Sequence, residues 1–184
     1  CLVGSEMCIR DRYSIDQVIA RIIRNRDICG DSDIDMYLNG DIKDMHAPKD
    51  MKDAVVSVDI IEKKIKEKCR IRIIGDYDID GICSIYILYK GLLAAGADVD
   101  YVVPHRINDG YGINEHLIDN ALSDGIDTII TCDNGISAYS QVKYAKDNGM
   151  TVIVTDHHDV PFDMIDGEKK YCIPVSYTHL TLPT

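Results

Sequence analysis

The chain has 184 residues and carries 31 acidic against 20 basic side chains, a formal charge of −11. This length, with 46% hydrophobic and 28% charged residues, fits a globular core and excludes intrinsic disorder; with no Trp and one Phe, that core has to be aliphatic. The longest nearly apolar stretch, Gly81 to Ala97, is interrupted by Lys90 and is shorter than the ~20 residues of a membrane span, so no membrane partner is expected.

An acidic balance speaks against a chain that grips nucleic acid by charge alone, because phosphate backbones are met by clustered Lys and Arg. It is compatible with a divalent-cation site, which is built from carboxylates. Seven cysteines, an odd number without a C-x-x-C pair, suit a reducing cytoplasm better than a disulfide scaffold or a zinc knuckle. No secretory signal pattern is present.

Residues 1–12 show neither helical nor strand periodicity, and the same is true of residues 175–184. Both ends resemble translated adapter sequence, so they are expected to be a non-native leader and tail and are set aside from the fold argument. From Ser14, Ile15, Val18, Ile19, Ile22 and Ile23 keep helical spacing, with Ser14 and Gln17 as a capping box. A second small helix is expected over Asp31 to Asn39 and a loop over Gly40 to Lys49. A longer helix is expected from about Lys49 to Lys68, with Met51, Ala54, Val55, Val58, Ile61 and Ile65 on one face and Glu62 paired to Lys66 on the other. Residues 13–69 thus form an N-terminal helical segment.

Strands and helices then alternate. Strands are expected over Arg70 to Gly75, Val99 to Val103, Thr128 to Cys132 and Thr151 to Thr155; helices fill Gly81 to Gly96, Asn114 to Ser123 and Ser137 to Gly149. Crossovers of this length imply an α/β fold, a parallel sheet flanked by helices. Ligands of such sheets bind beyond the carboxyl ends of the strands. Three strands deliver acids or histidines there: Asp76-Tyr77-Asp78-Ile79-Asp80-Gly81, Asp133-Asn134-Gly135 and Asp156-His157-His158.

An EF-hand is rejected for the first motif, because loop position 12 would be Ile87 and a strand precedes it. A phosphatase of the haloacid dehalogenase type is a remote alternative, since Gly75 separates strand and acid and two histidines go unexplained. Asp133 alone would be a turn residue, and Asn134-Gly135 is itself a turn signal. It is the convergence of three motifs on one sheet edge that indicates a metal site.

These motifs, Gly75 to Gly81, Thr131 to Ser137 and Thr155 to His158, resemble the first three motifs of the DHH phosphoesterase superfamily. The Asp-Tyr-Asp-x-Asp-Gly form, together with Pro104-x-Arg106 and Asp109-Gly110-Tyr111-Gly112, is similar to its RecJ branch, over about Tyr13 to Pro174. The resemblance implies a DHH domain within residues 70–174 and a 5′ to 3′ exonuclease on single-stranded DNA, working in recombination and repair with Mn²⁺ or Mg²⁺. Asp78 and Asp80 match ligands of the two metals, Asp133 the bridging carboxylate and His157 a further ligand. His158 matches the group facing the scissile phosphate, and Asp76 and Asp156 stand as orienting acids of the catalytic motifs. Arg106 is a candidate phosphate clamp, because guanidinium binds phosphate bidentately. Tyr111 is as readily a loop-packing residue as a base-stacking one.

The family's fourth motif and second domain have no counterpart here, so the chain is expected to be an N-terminal fragment with one metal ligand missing and apolar faces uncovered. Single-stranded DNA and other repair proteins are the partners expected of the exonuclease; a phosphodiesterase for short oligonucleotides or dinucleotides, and a non-catalytic DHH-fold scaffold in a replication assembly, are the competing readings.

Overall fold

The computed structural model describes residues 6–107, 109–165, 168–171 and 178–180, with side chains described as far as residue 161. The end of the expected DHH domain, Pro174, lies outside them, as does most of the expected tail. Two compact units divide the chain, residues 1–47 and 48–184; the helical segment read over 13–69 is shared between them.

The first unit is three short helices, α1 (Glu6–Tyr13), α2 (Gln17–Asn25) and α3 (Asp31–Asn39). Ile9, Ala20, Ile23 and Ile34 form its buried centre. Helix α1 lies in the leader, where no periodicity was visible because a single residue, Ile9, is buried. In α2 the cap is Asp16, whose carboxylate accepts from the Val18 amide at 2.7 Å, in place of the expected Ser14. Ser14 takes φ +50° in the turn between α1 and α2. The expected apolar face also rotates: Ala20 and Ile23 are buried, whereas Val18, Ile19 and Ile22 are exposed. Cys8 is disulfide-bonded, a departure from an all-thiol chain; Cys29, Cys69, Cys83 and Cys132 are free.

The second unit opens with α4, which runs Ala54–Lys66 and is shorter than expected because a 3₁₀ turn, Pro48–Asp50, precedes it. Its inward residues are Ile60, Ile61 and Ile65; Val55 and Val58, expected inside, are exposed. Lys66 and Glu62 pair at 3.0 Å as the i, i+4 spacing predicts.

Next come four parallel strands, β1 (Arg70–Ile74), β2 (Asp98–Val102), β3 (Thr128–Cys132) and β4 (Thr151–Thr155). They are joined by α5 (Ile79–Ala94), α6 (Glu115–Ser123) and α7 (Tyr139–Asp147). A hairpin, β5 (Phe162–Ile165) with β6 (Glu168–Tyr171), and a short β7 (Thr178–Leu180) complete the chain. The hairpin was not anticipated. Strand β7 falls in the segment set aside as tail, yet it pairs with β4 along Ile153 to Thr155, so that edge of β4 has backbone partners there.

The sheet order is β2-β1-β3-β4-β7. Because side chains alternate along a strand, each strand feeds two faces. Ile71, Ile73, Ile130, Cys132 and Ile153 pack under α4 and α5; Ile74, Ile129, Val152 and Val154 pack under α6 and α7. The core is aliphatic and rich in Ile, as the composition requires. Arg72 is a polar intrusion into this pattern, buried opposite Asp100 in register. It makes two bonds to the Asp100 carboxylate, at 2.7 and 2.6 Å, and lies 2.9 Å from Asp124. The outward side of α5 leaves Ile79, Ile82, Tyr86 and Ile87 exposed, as an uncovered apolar face was expected to. Among the described residues no helix is long and apolar enough to cross a membrane.

Candidate metal centre

The strand order explains where the acids meet. From β1 the chain moves outward to β2, returns past β1 to β3 and continues to β4, so the order reverses between β1 and β3. The crevice at such a reversal, at the carboxyl ends of the strands, is where open α/β sheets bind ligands. Here the β1 exit supplies Asp76, Asp78 and Asp80, the β3 exit Asp133, and the neighbouring β4 exit Asp156, His157 and His158.

Asp133, His157 and His158 offer ligand atoms that all lie within 4.8 Å of one another. His157 Nε2 stands 2.9 Å from Asp133 Oδ1. This is ion-pair range, and Asp133 Oδ1 makes no hydrogen bond besides that contact; the buried Asp76 Oδ1 and Thr131 Oγ1 make none. Burial, then the charge of Asp78, pushes the Asp133 carboxyl above the usual range, against the pull of His157. A cation relieves this kind of crowding. Orphaned carboxylate oxygens beside imidazoles also form a donor set suited to Mn²⁺ or a similar hard divalent ion.

Asp133 holds its place under strain, with a φ of +62° that non-glycine residues rarely adopt. Such a residue costs ~1–3 kcal/mol and persists only where its surroundings hold it. Its amide donates to the Thr155 carbonyl at 3.0 Å, and its own carbonyl accepts from the Tyr111 hydroxyl at 3.1 Å. Asn134, fully buried, donates to the carbonyls of Ile74 at 3.1 Å and Cys132 at 2.9 Å, and accepts from the Ile113 amide at 3.2 Å. It therefore knots the ends of β1 and β3 to the loop that carries Tyr111.

Asp156 is also buried. One oxygen accepts from the Ile136 amide at 3.0 Å; the other accepts from the His158 amide at 3.1 Å and lies 2.7 Å from His158 Nδ1. That last bond raises the pKa of His158 above the ordinary imidazole value.

Asp78 and Asp80 are placed differently from the tight group. Asp78 caps α5, taking the Gly81 amide at 2.9 Å. The helix begins at Ile79, two residues earlier than expected, so the Gly81 amide lies inside its first turn and is taken by the Asp78 cap. Gly81 matters for another reason: a Cβ there would sit 2.5 Å from the Asp76 carbonyl oxygen, so only glycine lets α5 approach the strand end this closely. Asp80 lines a cleft of about 560 Å³ together with Asp133, Asp156 and His157, whose other wall includes Cys83, Ile87 and Leu88. Asp76 is buried below. Arg106 stands outside the cluster on the loop after β2, its guanidinium 5.2 Å above the Tyr77 ring.

Sequence reasoning weighed two further residues of this centre without giving them a part in it. Tyr111 is framed by Gly110 and Gly112, both at positive φ, and its ring meets that of His158 edge to face at 6.2 Å. Burial, then the surrounding Asp156, Asp76, Asp133 and Asp78, pushes its hydroxyl up to about 12, so it remains a donor. Asn134 read as a turn residue; two of its three bonds run to residues distant in sequence, Ile74 and Ile113, and the glycine pair around Tyr111 was the one visible signal.

A doubly flanked parallel sheet that gathers buried aspartates and paired histidines at its reversal point defines an α/β fold with a candidate metal site at its carboxyl edge. Residues 70–178 match the model of the DHH family, N-terminal domain, and the chain belongs to that family. It is 40% identical over 119 residues to the single-stranded-DNA-specific exonuclease RecJ of Salmonella typhimurium, covering 64% of this chain and 20% of that protein. The RecJ of Bacillus subtilis is 32% identical over 151 residues, covering 82% and 19%. A crystal structure of exonuclease RecJ bound to manganese superposes with a TM-score of 0.62 at 31% identity, covering 74% of this chain and 33% of that one. A Thermus thermophilus RecJ structure in complex with Mn²⁺, at 23% identity and a TM-score of 0.61, covers 97% of this chain and 23% of its own and shows the shared fold. The chain spans about a fifth of the length of these curated relatives.

Proposed function

We propose that this chain forms the metal-binding part of a RecJ-type exonuclease, hydrolysing phosphodiester bonds of single-stranded DNA from the 5′ end in recombination and repair. The observation that carries it is the meeting of Asp133, His157 and His158 at the sheet reversal, above a buried Asp76 carboxylate oxygen that has no hydrogen-bond partner. The curated relatives, named as single-stranded-DNA-specific exonucleases, and the manganese-bound structure support the same reading.

In this reading residues 70–174 belong to the DHH domain. Asp78, Asp80, Asp133 and His157 would hold the divalent cations, Mn²⁺ or Mg²⁺. Bound there, such ions supply a hydroxide at neutral pH and neutralise the departing oxygen. His158, with Nδ1 committed to Asp156, turns Nε2 toward a phosphate oxygen as a hydrogen-bond donor. Asp156 keeps that ring oriented and charged, and Asp76 orients the ligands from below. Arg106, stacked on Tyr77, would clamp a substrate phosphate through its guanidinium. Cytoplasmic residence fits the four free thiols, and other repair proteins are the partners such an enzyme would meet.

The test is Mn²⁺ titration calorimetry on the 184-residue chain and its Asp133→Ala variant, alongside cleavage of a 5′-labelled single strand. The parent is expected to bind Mn²⁺ and the variant to lose binding at least about tenfold, the equivalent of ~1.4 kcal/mol. A folded parent that binds no Mn²⁺ would sink the proposal and favour the scaffold; preference for dinucleotides over a long strand would move the substrate assignment to small nucleotides.

A further inference from the structure

We propose that Tyr111 is a positioning residue of this centre: its hydroxyl fixes the backbone from which the Asp133 carboxylate projects, and its ring edge sets the His158 imidazole. The inference rests on the proposed reading of Asp133 and His158 as the cation-facing and phosphate-facing groups.

A side chain can aim at a metal only as steadily as its own peptide units are held, and Asp133 sits at φ +62°, from which an unrestrained L-residue relaxes. Two bonds oppose that relaxation. On the amino side the Asp133 amide is tied to the Thr155 carbonyl of β4 at 3.0 Å; on the carboxyl side the Asp133 carbonyl is tied to the Tyr111 hydroxyl at 3.1 Å. The first bond comes from the sheet. The second is made by a side chain brought from the loop between β2 and α6.

That loop is built for the purpose. Gly110 at φ +74° and Gly112 at φ +67° flank Tyr111, conformations that most side chains would disfavour. A Cβ on Gly112 would lie 3.1 Å from the Asn134 Cβ, so the loop backbone is pressed against the β3 exit. The Ile113 amide then bonds to Asn134 Oδ1 at 3.2 Å, one residue beyond the glycine. Tyr111 is thus clamped from behind and directed at Asp133.

The ring has a separate contact. His158 is fixed at Nδ1 by Asp156 at 2.7 Å, which sets one edge of the imidazole but leaves rotation about that bond. The Tyr111 ring meets it at 6.2 Å with planes 89° apart, the edge-to-face arrangement aromatic rings favour. Hydroxyl and ring therefore act on different partners, and substitutions can separate them: Tyr111→Phe removes the first contact and keeps the second, while Tyr111→Leu removes both.

The experiment uses the 184-residue chain and these two variants. Mn²⁺ affinity is read by calorimetry; in metal-free protein, NMR reads amide exchange at Asp133 and the His158 ring resonances. Tyr111→Phe is expected to weaken Mn²⁺ binding about tenfold, the factor that ~1.4 kcal/mol gives and near the upper end for one hydrogen bond. It should also speed exchange at the Asp133 amide while leaving the His158 resonances in place. Tyr111→Leu is expected to move the His158 resonances as well. Unchanged Mn²⁺ affinity and unchanged Asp133 exchange in Tyr111→Phe would overturn the inference, and so would a loss of protection spread evenly over β1 and β3. A parent without Mn²⁺ affinity would overturn the metal reading, while the exchange and ring readouts would still decide the positioning role.

Discussion

Replacing Asn134 by Ala should cost this fold more than most single changes, because one small side chain satisfies three backbone groups that water does not reach. Its amide nitrogen donates to the Ile74 and Cys132 carbonyls and its oxygen accepts from the Ile113 amide, at 3.1, 2.9 and 3.2 Å, with no exposed surface on the residue. Each such bond contributes ~1 kcal/mol net, and a buried group left unpaired costs ~1–3 kcal/mol. The void left by the lost atoms adds a smaller amount. The expected loss is about 3–4 kcal/mol, a large part of the ~5–15 kcal/mol that holds a domain together. With a urea slope of ~2 kcal/mol per molar, the unfolding midpoint should fall by about 1.5–2 M without a change of slope. Asn134→Asp keeps the shape and the acceptor but presents oxygen where two carbonyls need donors, so near neutral pH it should be worse than Ala. A loss below about 1 kcal/mol for Asn134→Ala, or an Asp variant as stable as the parent, would refute this account of how the strand ends are joined.

Two further outcomes concern titration and reactivity. Since Asp156 holds the His158 imidazolium above its ordinary value, in the metal-free chain the pair stabilises the fold below ~6.5, the unfolded imidazole's pKa, and this contribution is lost as pH rises through the higher folded value. Asp156→Asn should bring the His158 titration, tracked by NMR, back down, and a titration unmoved by the substitution would contradict the assignment. Burial, with Asp133 beside it, pushes the Cys132 thiol up to about 12, whereas Cys83 is exposed; iodoacetamide near pH 8 should therefore label Cys83 in the native chain and Cys132 only after unfolding, as read by peptide mass spectrometry. Labelling of native Cys132 at a rate like that of Cys83 would show that the β3 end is open.

The second unit was legible in the sequence because its signals are local. Runs such as Thr128 to Cys132 and Thr151 to Thr155 are β-branched and bounded by turn residues, and the structure places strands over those same residues. Helices α5, α6 and α7 lie within two residues or so of their expected limits, since caps and glycines mark where helices stop. The α2 and α4 faces were read less well. Val18, Ile19, Ile22, Val55 and Val58 all fit an apolar stripe, and which side of the stripe is buried depends on what packs there. Leader helix α1 and strand β7 escaped notice for a related reason, because one buried Ile or a three-residue edge pairing leaves no period to detect.

Short stretches of chain are enough to specify the elements, the aliphatic core and the candidate metal ligands, because helix and strand periods, turn chemistry and the residue types needed to bind cations are all local properties. Which of those residues meet is settled at the tertiary level. Strand order is set by packing between segments far apart in sequence: it places β3 directly beside β1 although β2 lies between them in the chain, and so brings Asp133 to the reversal point with the β1 aspartates. It also gives Asn134 and Tyr111 their work, since a turn-type residue and a loop tyrosine acquire partners only when the ends of β1 and β3 and the β2–α6 loop are assembled around them. The backbone groups they satisfy belong to distant residues, and no local pattern encodes a distant partner.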